Sequence, residues 1–434
     1  METRPSMPPF SSMSLRIKNG LASYASNLTA FSPNARLYLV NAVIVGAALG
    51  VFRLLFNFYV LSLGYDETLV GNLTTATSLT ALIAALPMGY LADLIGRKRS
   101  LVLGGGAVVS AILVMVAFRT SSVFIAMNVL IGLGQSLSGV TMGPFLMENS
   151  GEKERVYLFS FSSGLSTASS FVGNWVGGRM PTWLGSAQNI SATSTQAYGA
   201  SLLVVALCAG LGVIPLLLMR MPKINGSQRS IFAPVAFFRS EPALVGKLIL
   251  PMLITSLGAG LIMPFMNVFF RTVHHQTDSA IGLMFALGSL AMAVGLILAP
   301  PLADRIGKIQ LVVISQALSI PFLYILGFSS WFPLVTAAYY IRVGLMNMSG
   351  PVYQTFVLER VKPEARATIA SLTSMASNFG WALSPTVSGM LQVRYGFGPS
   401  FTGTILLYCV STFLYWWYFW KAGRHEVKQE LRAE

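Results

Sequence analysis

Long apolar stretches separated by short polar connections occupy most of this chain. Twelve of these stretches approach the roughly 20 residues that an α-helix needs to cross a hydrocarbon layer about 30 Å thick. The predicted spans are 36–63, 69–91, 101–118, 123–146, 157–178, 198–218, 248–270, 280–302, 309–328, 332–358, 367–393 and 400–420. The pattern predicts an all-α membrane protein with twelve transmembrane helices.

Charged positions of the first half recur in the second half. The connection after the second span reads GYLADLIGRKR at 89–99, and a weaker copy, APPLADRIGK, occupies 299–308. The pairs that match at a separation of 211 residues are Asp93 with Asp304, Glu148 with Glu359, and Arg155 with Arg366. Because such a repeat indicates internal duplication, we predict two pseudo-symmetric six-helix bundles.

One connection stands out by length and divides the chain near its middle. Residues 220–247 are rich in Pro, Gly, Ser and charge, which is typical of a linker. The predicted units are therefore an N-terminal segment (1–35), a first bundle (36–219), the linker (220–247), a second bundle (248–420) and a C-terminal tail (421–434).

Composition narrows the class of protein. The chain is 54% hydrophobic and only 10% charged, which excludes an ordinary soluble domain. The net charge of +14 is spread over short tracts between apolar runs, so a nucleic-acid partner is not expected. The sequence has no His/Cys cluster for a metal, no nucleophile elbow and no phosphate-binding loop, so we expect no cofactor, no ATP drive and no enzymatic activity.

Lysine and arginine lie mainly on one side of the predicted topology. If the N-terminus is cytoplasmic, only four arginines between the first and last spans fall on the outer side: Arg119, Arg179, Arg271 and Arg394. Because cytoplasmic loops carry the excess of positive charge, we predict a multi-pass protein of the plasma or inner membrane with both termini in the cytoplasm.

The repeated connection resembles the signature loop of the major facilitator superfamily. The residues that carry the resemblance are Gly89, Leu91, Ala92, Asp93, Gly96, Arg97, Lys98 and Arg99. The resemblance implies two six-helix bundles around a central cavity, which rock so that the cavity opens to each side of the membrane in turn.

The same resemblance implies a cytoplasmic gate, closed by charge pairs when the cavity faces outwards. The gate residues so predicted are Gly89, Asp93, Gly96, Arg97, Glu148 and Arg155 in the first half, and Asp304, Gly307, Lys308, Glu359 and Arg366 in the second. We expect the two glycines of the first loop to allow close backbone approach. The alternative is that the charges merely flank the membrane.

Two arginines lie near the middle of predicted spans. Arg53 lies roughly 14 Å and Arg342 roughly 15 Å from the outer ends of their helices, at 1.5 Å per residue. No acidic residue is predicted at that depth. Because the planar guanidinium suits carboxylate or phosphate, we predict that both contact an anionic substrate. The alternative is that each bonds to neighbouring helices and is structural.

Other polar side chains within the spans are candidate substrate contacts. Asn57 follows Arg53 by one helical turn, and Asn267 repeats Asn57 in the other half. The remaining candidates are Gln135, Asn347, Asn378 and Trp381. Polar residues in spans also serve as hydrogen-bond partners between helices, which is the alternative for each of them.

We predict a monomeric secondary transporter that moves a small, anionic or amphipathic solute through the bilayer by alternating access. The alternative is a multidrug efflux antiporter, since GNWVGG at 173–178 is similar to a motif of such proteins. However, Asn174 replaces its proline, and Gly132 stands where proton-coupled antiporters carry arginine. A third possibility is a transport-dead sensor or scaffold, which would be expected to carry a signalling domain.

Overall fold

The computed structural model describes residues 31–220, 242–361 and 366–421, and these form twelve long helices with no strand among them. The first six are α1 (Pro33–Ser62), α2 (Glu67–Ile95), α3 (Arg97–Ala117), α4 (Ser121–Glu148), α5 (Glu152–Gln188) and α6 (Thr195–Leu218). The second six are α7 (Pro242–Thr272), α8 (Asp278–Ile306), α9 (Lys308–Phe328), α10 (Phe332–Glu359), α11 (Arg366–Tyr395) and α12 (Gly398–Tyr415). The predicted fold class is confirmed.

Several helices begin or end a few residues away from the predicted bounds, and two of the differences have a clear physical explanation. Helix α5 continues to Gln188, past the predicted end at 178. The predicted span ended too early because the last turns of the helix are polar and hydropathy does not detect them. Helix α7 is interrupted by a 3-10 turn at Met263–Phe265. Pro264 lies in that turn and has no N–H to donate to the preceding turn of an α-helix, which explains the interruption.

Eight of the helices are long and apolar enough to cross a membrane by composition alone; α5, α10, α11 and α12 are less apolar. Their hydroxyl groups often lie between helices. Ser170 of α5 donates to the Gly46 carbonyl of α1 at 3.1 Å, and Thr404 of α12 donates to the Gly258 carbonyl of α7 at 2.9 Å. These bonds account for the polar residues without exposing them to lipid.

The molecule has two ends, which we name by their residues. The basic end carries the α2–α3 and α8–α9 connections, and the opposite end carries the connections at 63–66 and 273–277. At the opposite end one buried apolar cluster includes Leu54 of α1 and Phe269 of α7. Towards the basic end each bundle has its own cluster, around Phe145 in the first and Val312 in the second. Among the described residues, the apolar cluster shared by both bundles thus lies towards the opposite end.

Glycines bring the two bundles into backbone contact at the opposite end. A Cβ on Gly178 of α5 would lie 3.0 Å from Gly282 Cα in α8, and a Cβ on Gly389 of α11 would meet the backbone of Glu67 in α2. Thr75 of α2 also accepts a hydrogen bond from the Thr386 amide of α11 at 3.3 Å. Among the described residues, the space between the bundles is therefore closed at the opposite end and open at the basic end.

Candidate functional site

Arg53 faces the space between the bundles. Helix α1 packs on α5 through Gly50, on α6 through Asn41 and on α4 through Phe56. Arg53 lies on a face of α1 between these contacts. Its side chain is exposed, although the adjacent Leu54 is fully buried. Within the described residues the guanidinium makes no ion pair or hydrogen bond. Among the described residues, Arg53 is therefore a cation without a partner, exposed to the space between the bundles.

Gln135 of α4 lies on the same cavity. It is exposed, whereas Gly132 packs on α2 and Gly134 packs on α3. Because of these contacts, the face of α4 that carries Gln135 is directed towards the space between α1 and α2. Arg53 and Gln135 thus both lie on the first-bundle side of the cavity, and their predicted contact with a substrate stays a prediction.

The second bundle contributes amides and an indole. Asn347 of α10 and Asn378 of α11 are exposed, and each amide donates to the carbonyl one turn earlier in its own helix, at 2.9 Å. Trp381 is half-buried, on the sector of α11 between Gly380, which packs on α7, and Pro385, which packs on α2. These three side chains lie where a solute in the cavity could reach them.

Asn57 and Asn267, by contrast, bind each other. Asn57 Nδ2 donates to Asn267 Oδ1 at 2.9 Å and to the Pro264 carbonyl at 2.7 Å, while Asn267 Nδ2 donates to the Leu54 carbonyl at 2.8 Å. Both side chains are buried. In this conformation the repeat-related pair joins α1 to α7 rather than lining the open cavity.

Arg342 lies inside the second bundle. Its side chain is only 2% exposed, and Nη2 donates to Tyr408 Oη at 3.3 Å. In this conformation it does not face the cavity, so its geometry fits the structural alternative better than the predicted contact with a substrate. Residues of one type at similar predicted depths thus differ in their surroundings.

The gate charges of the first half come together at the basic end. Arg97 Nη1 donates to Asp93 Oδ1 at 2.6 Å, and Arg97 Nε donates to Glu148 Oε1 at 3.2 Å. The network stays within the first bundle, as expected where the basic end is open. The side chain of Arg155 lies outside the described part of the chain.

The second half repeats only part of this network. Lys308 pairs with Glu359, whereas Asp304 is exposed and has no ion pair among the described residues. The side chain of Arg366 lies outside the described part of the chain.

Glycines connect the helices at both loops. Gly96 and Gly307 are single-residue connections with φ of 86° and 95°, the left-handed region that favours glycine. The expected close backbone approach at Gly89 and Gly96 is wrong for this conformation, since a Cβ on either would meet nothing within 4 Å. At Gly96 the positive φ explains why glycine, rather than a residue with a Cβ, occupies the connection.

Asp93→Asn is expected to lower the transport rate about threefold to tenfold while changing the melting temperature by less than about 2 °C. The substitution removes a partly exposed ion pair, which contributes roughly 0–1 kcal/mol to folding, but also the charge assigned to the gate. Transport into proteoliposomes and thermal unfolding measure the two effects. The comparison variant is Asp304→Asn, which removes a carboxylate at the same end that forms no ion pair among the described residues. Unchanged transport by Asp93→Asn would remove Asp93 from the gate.

A second charged cluster, which the sequence analysis missed, links the bundles at the opposite end. Tyr198 of α6 donates to Asp278 Oδ2 of α8 at 2.5 Å, and Arg271 of α7 lies 3.7 Å from Asp278 Oδ1. The Arg271 guanidinium also stacks 4.4 Å from the centroid of the Phe58 ring in α1. We call Phe58, Tyr198, Arg271 and Asp278 the clamp. Charged residues are rare on the predicted outer side of the protein, and that rarity was the signal in the sequence that could have indicated the clamp.

His274 lies in the connection next to the clamp. Its ring packs against Phe269 and Phe332, with centroids 5.1 and 5.6 Å away, and its Nε2 is buried without a partner among the described residues. Burial lowers the pKa of His274, and the nearby His275 lowers it further. The folded protein therefore favours the neutral imidazole at this position.

Acidification is expected to destabilise the protein through His274. Since its folded-state pKa lies below the usual 6.5, the unfolded chain binds the proton more tightly, and stability falls as the pH drops below about 6.5. Melting temperatures at pH 7.5 and 5.5 measure this loss. His274→Phe should reduce the loss and His275→Asn should largely retain it; equal losses in wild type and His274→Phe would disprove the assignment.

Comparison with known proteins agrees with this architecture. The sequence model of the Major Facilitator Superfamily matches residues 38–254 and again 248–434. Myo-inositol transporter 2 of Schizosaccharomyces pombe is 33% identical over 90 residues, which is 21% of this chain but only 15% of that protein's length.

Solved structures of similar fold include the nucleoside transporter NupG, with a TM-score of 0.69, 15% identity and coverage of 88% of this chain and 97% of that chain. An inward-facing bacterial homologue of the human lysosomal transporter Spinster has a TM-score of 0.69, 14% identity and coverage of 90% and 96%. The human organic anion transporter MFSD10 has a TM-score of 0.59, 15% identity and coverage of 88% and 99%. At such identities the likeness concerns the fold. With both halves matched, the chain belongs to the Major Facilitator Superfamily of membrane transporters.

Proposed function

We propose that this transporter moves a small organic anion across the membrane, with Arg53 as the residue that binds the anionic group. The observation that carries the proposal is the free Arg53 guanidinium in the cavity. A charge within a span costs roughly 2.5–3.5 kcal/mol or more unless it meets water or a partner. A cavity open at the basic end supplies water, and a carboxylate in the cavity would supply the partner.

The neighbouring side chains favour a particular kind of anion. A carboxylate can accept two parallel hydrogen bonds from the planar guanidinium of Arg53. Gln135, Asn347 and Asn378 offer amides to polar groups of the solute, while Trp381 offers an apolar ring. The arrangement suits an amphipathic monoanion, because Arg53 is the single cation near this depth that faces the cavity within the described residues.

Alternating access follows from the asymmetry between the two ends. We assign the basic end to the cytoplasm, which makes the described conformation open to the inside of a cell. To open outwards, the bundles must separate at the clamp, at the Asn57–Asn267 pair and at the glycine contacts. The first-half charges Asp93, Arg97 and Glu148 would then approach the second bundle at the basic end. The linker and both tails are assigned to the cytoplasm, and a single chain suffices for the cavity.

A thermal-shift screen of the purified protein tests the substrate class. Organic monoanions of increasing size, lipophilic cations and neutral nucleosides are added in turn to wild type, Arg53→Gln and Arg179→Gln. A ligand at a hundred times its dissociation constant stabilises a protein by roughly 2.7 kcal/mol. We expect monoanions to stabilise wild type and Arg179→Gln, whose guanidinium lies on the exposed end of α5 over Trp175, but not Arg53→Gln. Stabilisation by lipophilic cations in all three proteins would favour the multidrug alternative.

A further inference from the structure

Arg342 is enclosed by three helices of the second bundle. Its Nη2 donates to Tyr408 Oη of α12 at 3.3 Å, and its Nη1 lies 3.9 Å from the sulfur of Met263, in the 3-10 turn of α7. The guanidinium carbon lies 5.7 Å from the centroid of the Tyr408 ring. Nε is buried and has no hydrogen-bond partner within the described residues. The side chain is 98% buried, so its charge is shielded from the cavity.

The protein groups around Arg342 leave its charge uncompensated. A guanidinium has five N–H donors, and a thioether sulfur is a weak acceptor. Helices α7, α9, α11 and α12 contain no Asp or Glu, and α10 contains only Glu359, at its far end. Helix α8, which packs on α10 through Gly288 and Gly295, carries Asp278 and Asp304 only in its first and last turns. A buried charge requires a partner or hydrogen bonds to stay ionised, and arginine does not lose its proton.

We propose that a small inorganic anion, such as chloride, binds beside Arg342 in the core of the second bundle. The Nε–H and the unused Nη–H groups of Arg342 donate to the anion. Tyr408 Oη accepts from Nη2, which leaves its own O–H free to donate to the same anion. The site lies between α7, α10 and α12, beside the break in α7. It is separate from the cavity that holds Arg53 and does not depend on the substrate proposed there.

Chloride titration of the purified protein tests the site. Chloride replaces gluconate at constant ionic strength, and the melting temperature is measured for wild type, Arg342→Met and Arg53→Gln. We expect chloride to raise the melting temperature of wild type and Arg53→Gln by at least about 2 °C, because a ligand bound to the folded state stabilises it. Arg342→Met, which keeps an apolar chain of similar reach, should show no rise.

Tyr408→Phe, which removes the hydroxyl but keeps the ring, should show a smaller rise than wild type. Bromide-soaked crystals of the wild-type protein give a readout that does not depend on any variant, and we expect an anomalous peak within hydrogen-bonding distance of Arg342 Nε. The proposal is overturned if chloride has no effect on wild type, if Arg342→Met responds as wild type does, or if the response is lost in Arg53→Gln instead.

Discussion

Arg53→Gln is expected to lower the transport efficiency for an organic monoanion about 100-fold. Glutamine keeps a polar side chain in the cavity but removes the charge and the two parallel N–H donors. Hydrogen bonds to charged groups contribute roughly 1.5–3 kcal/mol, and about 2.7 kcal/mol corresponds to a factor of 100. Uptake of a labelled monoanion, chosen from the thermal-shift screen, into proteoliposomes measures the effect.

Two further variants separate the charge of Arg53 from its shape. Arg53→Lys keeps the positive charge but loses the planar fork, so we expect an intermediate loss of about tenfold. Arg179→Gln removes a positive charge from the exposed end of α5 and should leave uptake unchanged. Wild-type uptake by Arg53→Gln would show that Arg53 does not bind the substrate.

Asp278→Asn combined with Tyr198→Phe is expected to open the cavity at the opposite end. The double change removes the Tyr198–Asp278 hydrogen bond, which joins the first bundle to the second, and the ion pair that holds Arg271 in place. The Arg271–Asp278 pair is half-buried, so losing one partner costs less than the roughly 3–5 kcal/mol that is typical of a fully buried pair. That cost falls on the closed conformation, so the equilibrium shifts towards the open one.

Cysteine labelling at Thr75 measures this shift. In the present conformation Thr75 Oγ1 accepts a hydrogen bond from Thr386 of the partner bundle. Thr75→Cys is introduced after Cys208 and Cys409, both exposed, are replaced by serine. We expect the clamp variant to raise the rate of modification by a membrane-impermeant maleimide about tenfold.

Arg394→Gln is the matched control, since this arginine lies at the same end of the molecule but stacks on Tyr395 within its own helix. Its labelling rate should equal that of the parent. If the clamp variant is also labelled at the parental rate, the clamp does not hold the opposite end closed.

Much of the fold was predictable because it depends on local properties of the chain. A helix that crosses the bilayer needs about 20 mainly apolar residues, so the apolar runs located the twelve helices, although α5, α10, α11 and α12 are less apolar than the others. The pairing of Asp93 with Arg97 was predictable from their short separation, although Gly96 breaks the helix between them. Two features were not predicted: the polar end of α5, which hydropathy does not detect, and the turn at Pro264, which interrupts α7 within an apolar run.

The sequence indicated which residues are candidates for the site, but not which of them face the cavity. Arg53 and Arg342 could not be distinguished from sequence, because each lies in an apolar helix at similar predicted depth. Which sector of such a helix meets water depends on the helices packed around it. The other faces of α1 pack on neighbouring helices through Gly50, Asn41 and Phe56, which leaves Arg53 exposed. Arg342, by contrast, is enclosed by Tyr408 and Met263.

Hydropathy, the internal repeat and charge spacing were enough to predict twelve helices in two related bundles, whereas the family was indicated by the resemblance of the loop at 89–99 to a known signature. The clamp required the tertiary structure, since Tyr198 and Asp278 belong to different bundles and lie 80 residues apart. The pairing of Asn57 with Asn267 required it as well. Contacts between the bundles depend on how the bundles are tilted in a particular conformation. One sequence must support both the conformation open at the basic end and the one open at the opposite end, so its linear pattern does not encode either tilt.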